Sequence, residues 1–136
     1  MTGLTGLFGL TGFKKMDEKP LTEKIIRCAF NVHNELGSGF LEKVYENALR
    51  MELIQENLEV KQQVPVEVRY KGKTIGNYCA DLLVNDKILI ELKAVETLVK
   101  EHEVQLVNYL KATGLTIGLL INFGPSVQIK RKIRHL

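Results

Sequence analysis

The stretch Asp81-Leu-Leu-Val-Asn-Asp-Lys-Ile-Leu-Ile-Glu91-Leu-Lys93 constrains the chain most: two short apolar runs flank a polar turn, yet carry two carboxylates and a lysine where aliphatic core residues belong. Ile, Leu and Val around Asn85-Asp86-Lys87 read as a β-hairpin. A three-residue loop sets Val84 against Ile88 and therefore Asp81 against Glu91. Directly opposed side chains lie roughly 4.5–5.5 Å apart at Cβ. Like charges at that spacing repel unless a proton is shared or a cation sits between them. A hard divalent ion such as Mg²⁺ is the natural occupant. Side chains alternate along a strand, so Glu91 and Lys93 share a face, and the lysine points at the same ion, water and substrate. A two-residue loop would oppose Asp81 to Ile90 and disperse the group.

The remaining pattern predicts a single α/β unit. Leu21, Ile25, Ile26, Ala29, Phe30, His33 and Leu36 recur at helical spacing, with Gly37 as the stop. A second helix is predicted over Phe40 to Asn57, with Glu42 inside a broad apolar sector beside Tyr45, Leu49 and Leu53. Residues 59–70 alternate as a strand in which Pro65 argues for an edge position or a bulge. Strands over Thr74–Val84 and Lys87–Ala94 follow. A third helix over Val99–Ala112 is closed by Gly114. Leu115–Phe123 is almost continuously apolar, as a strand covered on both faces is, and a last strand runs from Val127 to about Arg134. The order is ααβββαββ, a sandwich with a mixed sheet.

At 136 residues, 45% hydrophobic and 26% charged, the chain supports one core. Its net charge of +3 permits a polyanionic partner without demanding one, and much of the excess lies in Lys130-Arg131-Lys132-Ile133-Arg134. That run reads as a solvated end or as a phosphate contact. Cys28 and Cys79 lack metal-type spacing, sit in apolar surroundings, and read as reduced core residues of a cytoplasmic protein. No apolar stretch approaches the roughly 20 residues that span a bilayer. Residues 1–13 form a Gly/Thr/Leu repeat without an amphipathic face, so residues 1–19 are expected to be a disordered leader, with Met16 as an alternative start, and 20–136 one domain.

On the third helix His102, Gln105 and Tyr109 form a polar stripe beside the core stripe of Val99, Leu106, Val107 and Leu110. Together these residues carry a resemblance. Asp81 followed by Glu91-Leu92-Lys93 resembles the Asp…Glu-x-Lys core of the PD-(D/E)xK nuclease superfamily, and Gln105-x-x-x-Tyr109 resembles the Gln-x-x-x-Tyr element of its exonuclease-like branch. Gly39-Phe-Leu-Glu42-Lys-Val-Tyr45 is similar to the signature of the small GxxExxY family, and the likeness extends from about Leu21 to Arg134. It implies a restriction-endonuclease-like fold and hydrolysis of nucleic-acid phosphodiesters, DNA before RNA, with Mg²⁺ or Mn²⁺. By the same resemblance Asp81 and Glu91 hold the ion with the backbone carbonyl of Leu92, and Lys93 orients the attacking water and offsets charge on the phosphate. Glu42 would be a further metal or water ligand, Gln105 would act beside them, and Tyr109 and Tyr45 would meet substrate.

Each residue also has a plainer reading. Glu42 fits the N3 position of a capping box with Gly39 as N-cap. Asp81 and Lys93 fit a cross-strand ion pair. Tyr45 fits a packed aromatic with its hydroxyl bonded, and His33 and His102 fit structural histidines. The fold is equally compatible with an inactive nucleic-acid-binding module, or with a subunit docking through the apolar second helix. The small surface leaves a homodimer open.

Overall fold

The change from helical to alternating apolar spacing near residue 59 divides the chain into a helical hairpin and a sheet. A computed structural model describes residues 18–135; residues 1–17 of the expected leader, Met16 among them, lie outside the described residues, whereas Glu18 and Lys19 are already helical. The elements are α1 (Glu18–Leu36), α2 (Glu42–Gln55), β1 (Val60–Tyr70), β2 (Lys73–Val84), β3 (Ile88–Lys93), α3 (Lys100–Thr113), β4 (Ile117–Phe123) and β5 (Val127–Ile133), in the predicted order. They build a five-stranded sheet ordered β1-β2-β3-β4-β5, in which only β3 and β4 run parallel. A parallel pair needs a crossover, and α3 supplies it. Pro65 lies on edge strand β1, as its missing N–H requires.

The sheet is covered on both faces. Helices α1 and α2 pack Ile25, Ala29, Leu49 and Leu53 against Leu82, Val84, Ile90, Leu119 and Ile121. On the other face Leu106, Tyr109 and Leu110 of α3 meet Leu83, Leu89 and Leu120. All seven residues of β4 are buried, which accounts for its uninterrupted apolar run.

The hairpin register is the predicted one, with Leu82 opposite Ile90, Leu83 opposite Leu89 and Val84 opposite Ile88. Asn85 and Asp86 both take left-handed backbone, φ 53°, which their short polar side chains tolerate. Lys87 N–H closes the turn on the Val84 carbonyl at 2.9 Å, and Asn85 ties it to the start of β1 through paired 2.8 Å bonds with Glu59.

A twist in the β1–β2 ribbon was not foreseen. Val60 packs with the α1/α2 core but Val64 and Val66 pack with the α3 core; likewise Leu82 and Val84 belong to the first and Ala80 to the second. Alternation should keep all of these even-numbered residues on one face, so both strands invert within a few residues of each other. The pairs Gln62–Leu82 and Val64–Ala80 put Gln63 across from Asp81 at the inversion. Gln63 has φ +54° in mid-strand, a conformation that costs a side-chain-bearing residue about 1–2 kcal/mol.

Three expectations are corrected. Helix α1 starts at Glu18, three residues before Leu21, with Pro20 in its first turn, where it is tolerated. Helix α2 starts at Glu42 with Leu41 as N-cap and no side-chain cap, so Glu42 is not the N3 member of a capping box. The Tyr45 hydroxyl delays that start: it donates to the Gly37 carbonyl at 2.6 Å and accepts from Phe40 N–H at 3.3 Å, holding residues 37–40 outside the helix. Cys28 is buried as expected, but Cys79 is exposed. It pairs with Pro65 where β2 has run past its ladder with β3.

The end of β3 is held by a buried amide. Asn122, fully buried on β4, accepts from Val95 N–H and donates to the Val95 carbonyl, both at 2.9 Å. A Cβ on Gly124 would lie 2.3 Å from that same carbonyl oxygen, a backbone atom with nowhere to go. Gly124→Ala is therefore expected to cost about 1–3 kcal/mol in urea denaturation; an unchanged midpoint contradicts this account of the strand end.

Candidate active site

Strands β2 and β3 part beyond the Leu82–Ile90 pair, and two carboxylates replace the ladder there. Asp81 N–H donates to Glu91 Oε2 at 2.8 Å, and Leu92 N–H donates to Asp81 Oδ2 at 2.7 Å. Each acid thus accepts a bond from the other strand's backbone. Glu91 is only 6% exposed and Asp81 is half-buried. Burial pushes Glu91 up to about 8, with the neighbouring Asp81 charge adding to the rise and the Asp81 N–H and Lys93 opposing it. Burial also raises Asp81, against the Leu92 N–H. The predicted opposition of the two acids is realised, and the electrostatic tension follows from it.

Lys93 is half-buried and forms no ion pair among the described residues, so the cross-strand pair with Asp81 is not made. Its charge nevertheless acts on Glu42, Asp81 and Glu91, opposing the rise in the pKa of each. An ammonium beside the acids but committed to none of them is free to meet an added anion.

Glu42 and Glu46, one turn apart on α2, divide what was expected of Glu42 alone. Glu42 is exposed at the first residue of the helix. Partial desolvation by the protein around it raises its carboxyl, Lys93 works against this, and Asp81 and Glu46 add to it, so it borders the acids. The acid inside the apolar sector is Glu46, 3% exposed. Its carboxylate accepts from Lys43 Nζ at 3.1 Å, Gln62 Nε2 at 2.6 Å and Gln63 Nε2 at 3.0 Å. The signal for it was the adjacent amides Gln62-Gln63, polar where an alternating strand offers one inward position.

From α3, Gln105 Nε2 donates to the Tyr109 hydroxyl at 3.1 Å. Tyr109 is nearly buried, and burial first, then the charges of Glu91 and Asp81, raise its pKa, which places its hydroxyl near the acids. Tyr78 leans on its ring at 5.8 Å, and both line a groove of about 1410 Å³ between α3 and the β1–β2 ribbon. Asp81 and Glu91 are outside that groove; the Gln105–Tyr109 pair links the two.

Tyr45, expected to touch substrate, does not reach the surface. It is fully buried, stacked on Phe123 at 4.7 Å and 6°, with its hydroxyl spent on the 37–40 connection. Both histidines make backbone bonds, which suits their plainer reading. His33 Nε2 bonds the Gly124 carbonyl at 2.8 Å, and His102 Nδ1 accepts from Val99 N–H at 3.1 Å at the start of α3.

As the side chains stand, no set of three or more His, Cys, Asp or Glu among the described residues is gathered closely enough to hold a metal ion. Glu42 does not close a cage with Asp81 and Glu91. What remains is a pair of crowded carboxylates whose burial and repulsion raise their proton affinity. That donor set fits a hard cation of the Mg²⁺ kind, which is commonly held by one or two carboxylates with water and substrate oxygens completing the shell.

The family profile described as the PD-(D/E)XK nuclease superfamily matches residues 19–136. Among solved structures, one titled SSO0001 superposes with a TM-score of 0.56 at 22% identity, covering 70% of this chain and 51% of the other. An alkaline exonuclease (LHK-Exo) from Laribacter hongkongensis superposes with a TM-score of 0.51 at 15% identity, covering 68% and 56% respectively. The chain thus spans about half the length of the structures it resembles, and at these identities the likeness is one of fold. No curated protein matches the chain.

Because Glu91 holds its proton more tightly in the fold than at its ordinary value of 4.5, between that pH and about 8 the folded chain keeps a proton the unfolded chain has released. Stability therefore falls as pH rises across that window. The melting temperature of the metal-free protein is expected to drop between about pH 5 and about pH 8, and Glu91→Gln to flatten the drop. Identical slopes for the two proteins in scanning calorimetry count against a raised Glu91.

Proposed function

The chain belongs to the PD-(D/E)XK nuclease superfamily, and we propose that within it this chain is a Mg²⁺- or Mn²⁺-dependent nuclease that hydrolyses phosphodiester bonds of DNA in preference to RNA. The observation that carries the reading is the pair of acids, buried Glu91 and half-buried Asp81, interlocked through each other's backbone beside an uncommitted Lys93. The Gly39…Glu42…Tyr45 spacing supports a kinship with the GxxExxY group of that superfamily.

Asp81 and Glu91, with the Leu92 carbonyl, would hold the divalent ion, which when bound lowers the pKa of water and polarises a phosphoryl oxygen. Lys93 meets the non-bridging oxygens of the phosphate and stabilises the charge that grows on them as water attacks. Glu42, at the exposed mouth, would order solvent beside the acids. Gln105 presents the Tyr109 hydroxyl toward a backbone phosphate, and the groove beyond the pair accepts the strand leading away from the cut. A cytoplasmic setting suits this substrate; among the described residues no helix is long and apolar enough to cross a membrane.

A second reading has its own observation. Leu41 (80% exposed), Val44 and Met51 (61% exposed) lie along one side of α2 and its approach, so a docking module or a homodimer would use that stripe. Two measurements separate the readings. With Mg²⁺ or Mn²⁺, cleavage of labelled DNA is expected, falling about 10²-fold or more in Asp81→Ala and in Lys93→Ala while DNA binding persists. Calorimetric titration of Mn²⁺ is expected to show binding to the parent chain and none to Asp81→Asn. Metal-independent binding with no cleavage of DNA or RNA would favour an inactive nucleic-acid-binding module, and co-purification with one partner, indifferent to those substitutions, would favour docking through α2.

A further inference from the structure

The inversion in the β1–β2 ribbon falls beside Asp81, and one side chain there has no role in the reading above. Gln63 is the only residue of β1 with left-handed backbone among the described residues. Such a conformation in mid-strand persists only where its surroundings fix it, and it is found most often at functional sites. The surroundings are explicit. Gln63 Nε2 donates to both oxygens of Glu46, at 3.2 and 3.0 Å, and reaches Asp81 Oδ1 at 3.4 Å. Glu46 is itself fixed by Lys43 and Gln62, and Gln62 continues to Asn47 at 2.8 Å. The connection runs from a buried acid on α2, through one amide, to the carboxylate oxygen of Asp81 that the Leu92 N–H does not take.

We propose that Gln63 is a positioning residue of the site, its left-handed backbone and its anchorage on Glu46 aiming the Asp81 carboxylate. In ordinary strand geometry the residue opposite Asp81 would direct its side chain by simple alternation; the left-handed turn lets it reach Glu46 and Asp81 together. With Leu92 N–H on Oδ2 and Gln63 on Oδ1, the Asp81 carboxylate is gripped from β3 and β1 at once, which fixes its rotation. Glu46, whose oxygens are already supplied with donors, is the anchor for this grip and not a ligand of the ion. Outer partners that orient ligating carboxylates strengthen metal sites in this way. The inference rests on the proposed role of Asp81 but has its own readout.

Glycine accepts the left-handed conformation without a side chain, so Gln63→Gly removes the amide while leaving the backbone at ease. The expected result is a melting temperature within about 4 °C of the parent, with the Mn²⁺ dissociation constant by calorimetry weakened about 10-fold or more. Glu46→Gln is expected to weaken Mn²⁺ binding similarly, and the double variant no further than either alone, since both break one connection. Unchanged Mn²⁺ affinity in Gln63→Gly overturns the proposal, and so does a variant that fails to fold, because the residue would then be structural only. If the parent takes up no Mn²⁺, the metal reading falls and metal-free crystal structures decide Gln63. One carboxylate orientation for Asp81 in the parent and more than one in Gln63→Gly supports the proposal; the same single orientation in both overturns it.

Discussion

The structure turns on the crossed hydrogen bonds by which Asp81 and Glu91 each use a carboxylate where a backbone carbonyl would have continued the ladder. A buried acid is costly unless its oxygens find donors, and here two adjacent strands supply those donors from their own backbones. The arrangement holds two acids close enough to repel, in a setting that resists ionisation of both. That tension makes the pair receptive to a cation. It also explains why the site sits where the strands diverge: inside a complete ladder the same N–H groups would be taken by carbonyls.

Support for the pair comes from both faces of the sheet. On one side α3 brings Tyr109 and Gln105 over the acids, and on the other α2 brings Glu46 and, at its first residue, Glu42. The Asn122–Val95 clamp fixes the chain just after Lys93, so the lysine leaves β3 from a defined backbone. The elements expected to do chemistry are held by others that do none. Tyr45 is the clearest case, since its ring and hydroxyl set where α2 begins and hence where Glu42 and Glu46 stand.

Much of this was legible in the sequence because it rests on short-range rules. Counting across Asn85-Asp86-Lys87 fixed which residues face each other, the apolar run of β4 announced a strand covered on both sides, and Pro65 announced an edge. Illegible were features set by where an element starts or how a strand is aimed. Glu42 and Glu46 occupy the same helical face, and only the starting point of α2 decides which one the core covers. Cys79 looked like a core residue because alternation says nothing of whether a layer lies above it. The left-handed Gln63 had no glycine or asparagine to betray it, and its only trace was a pair of amides on one edge strand.

The two outer strands bear on how this molecule can associate. On β1 a proline and a left-handed glutamine break the row of hydrogen-bonding groups, and on β5 Lys130, Arg131 and Lys132 line the other border, with Lys132 paired to Glu103 of α3. Irregular backbone on one margin and repeated cation on the other discourage a neighbour from adding a strand to either. Sheet growth from molecule to molecule is thereby disfavoured at both borders.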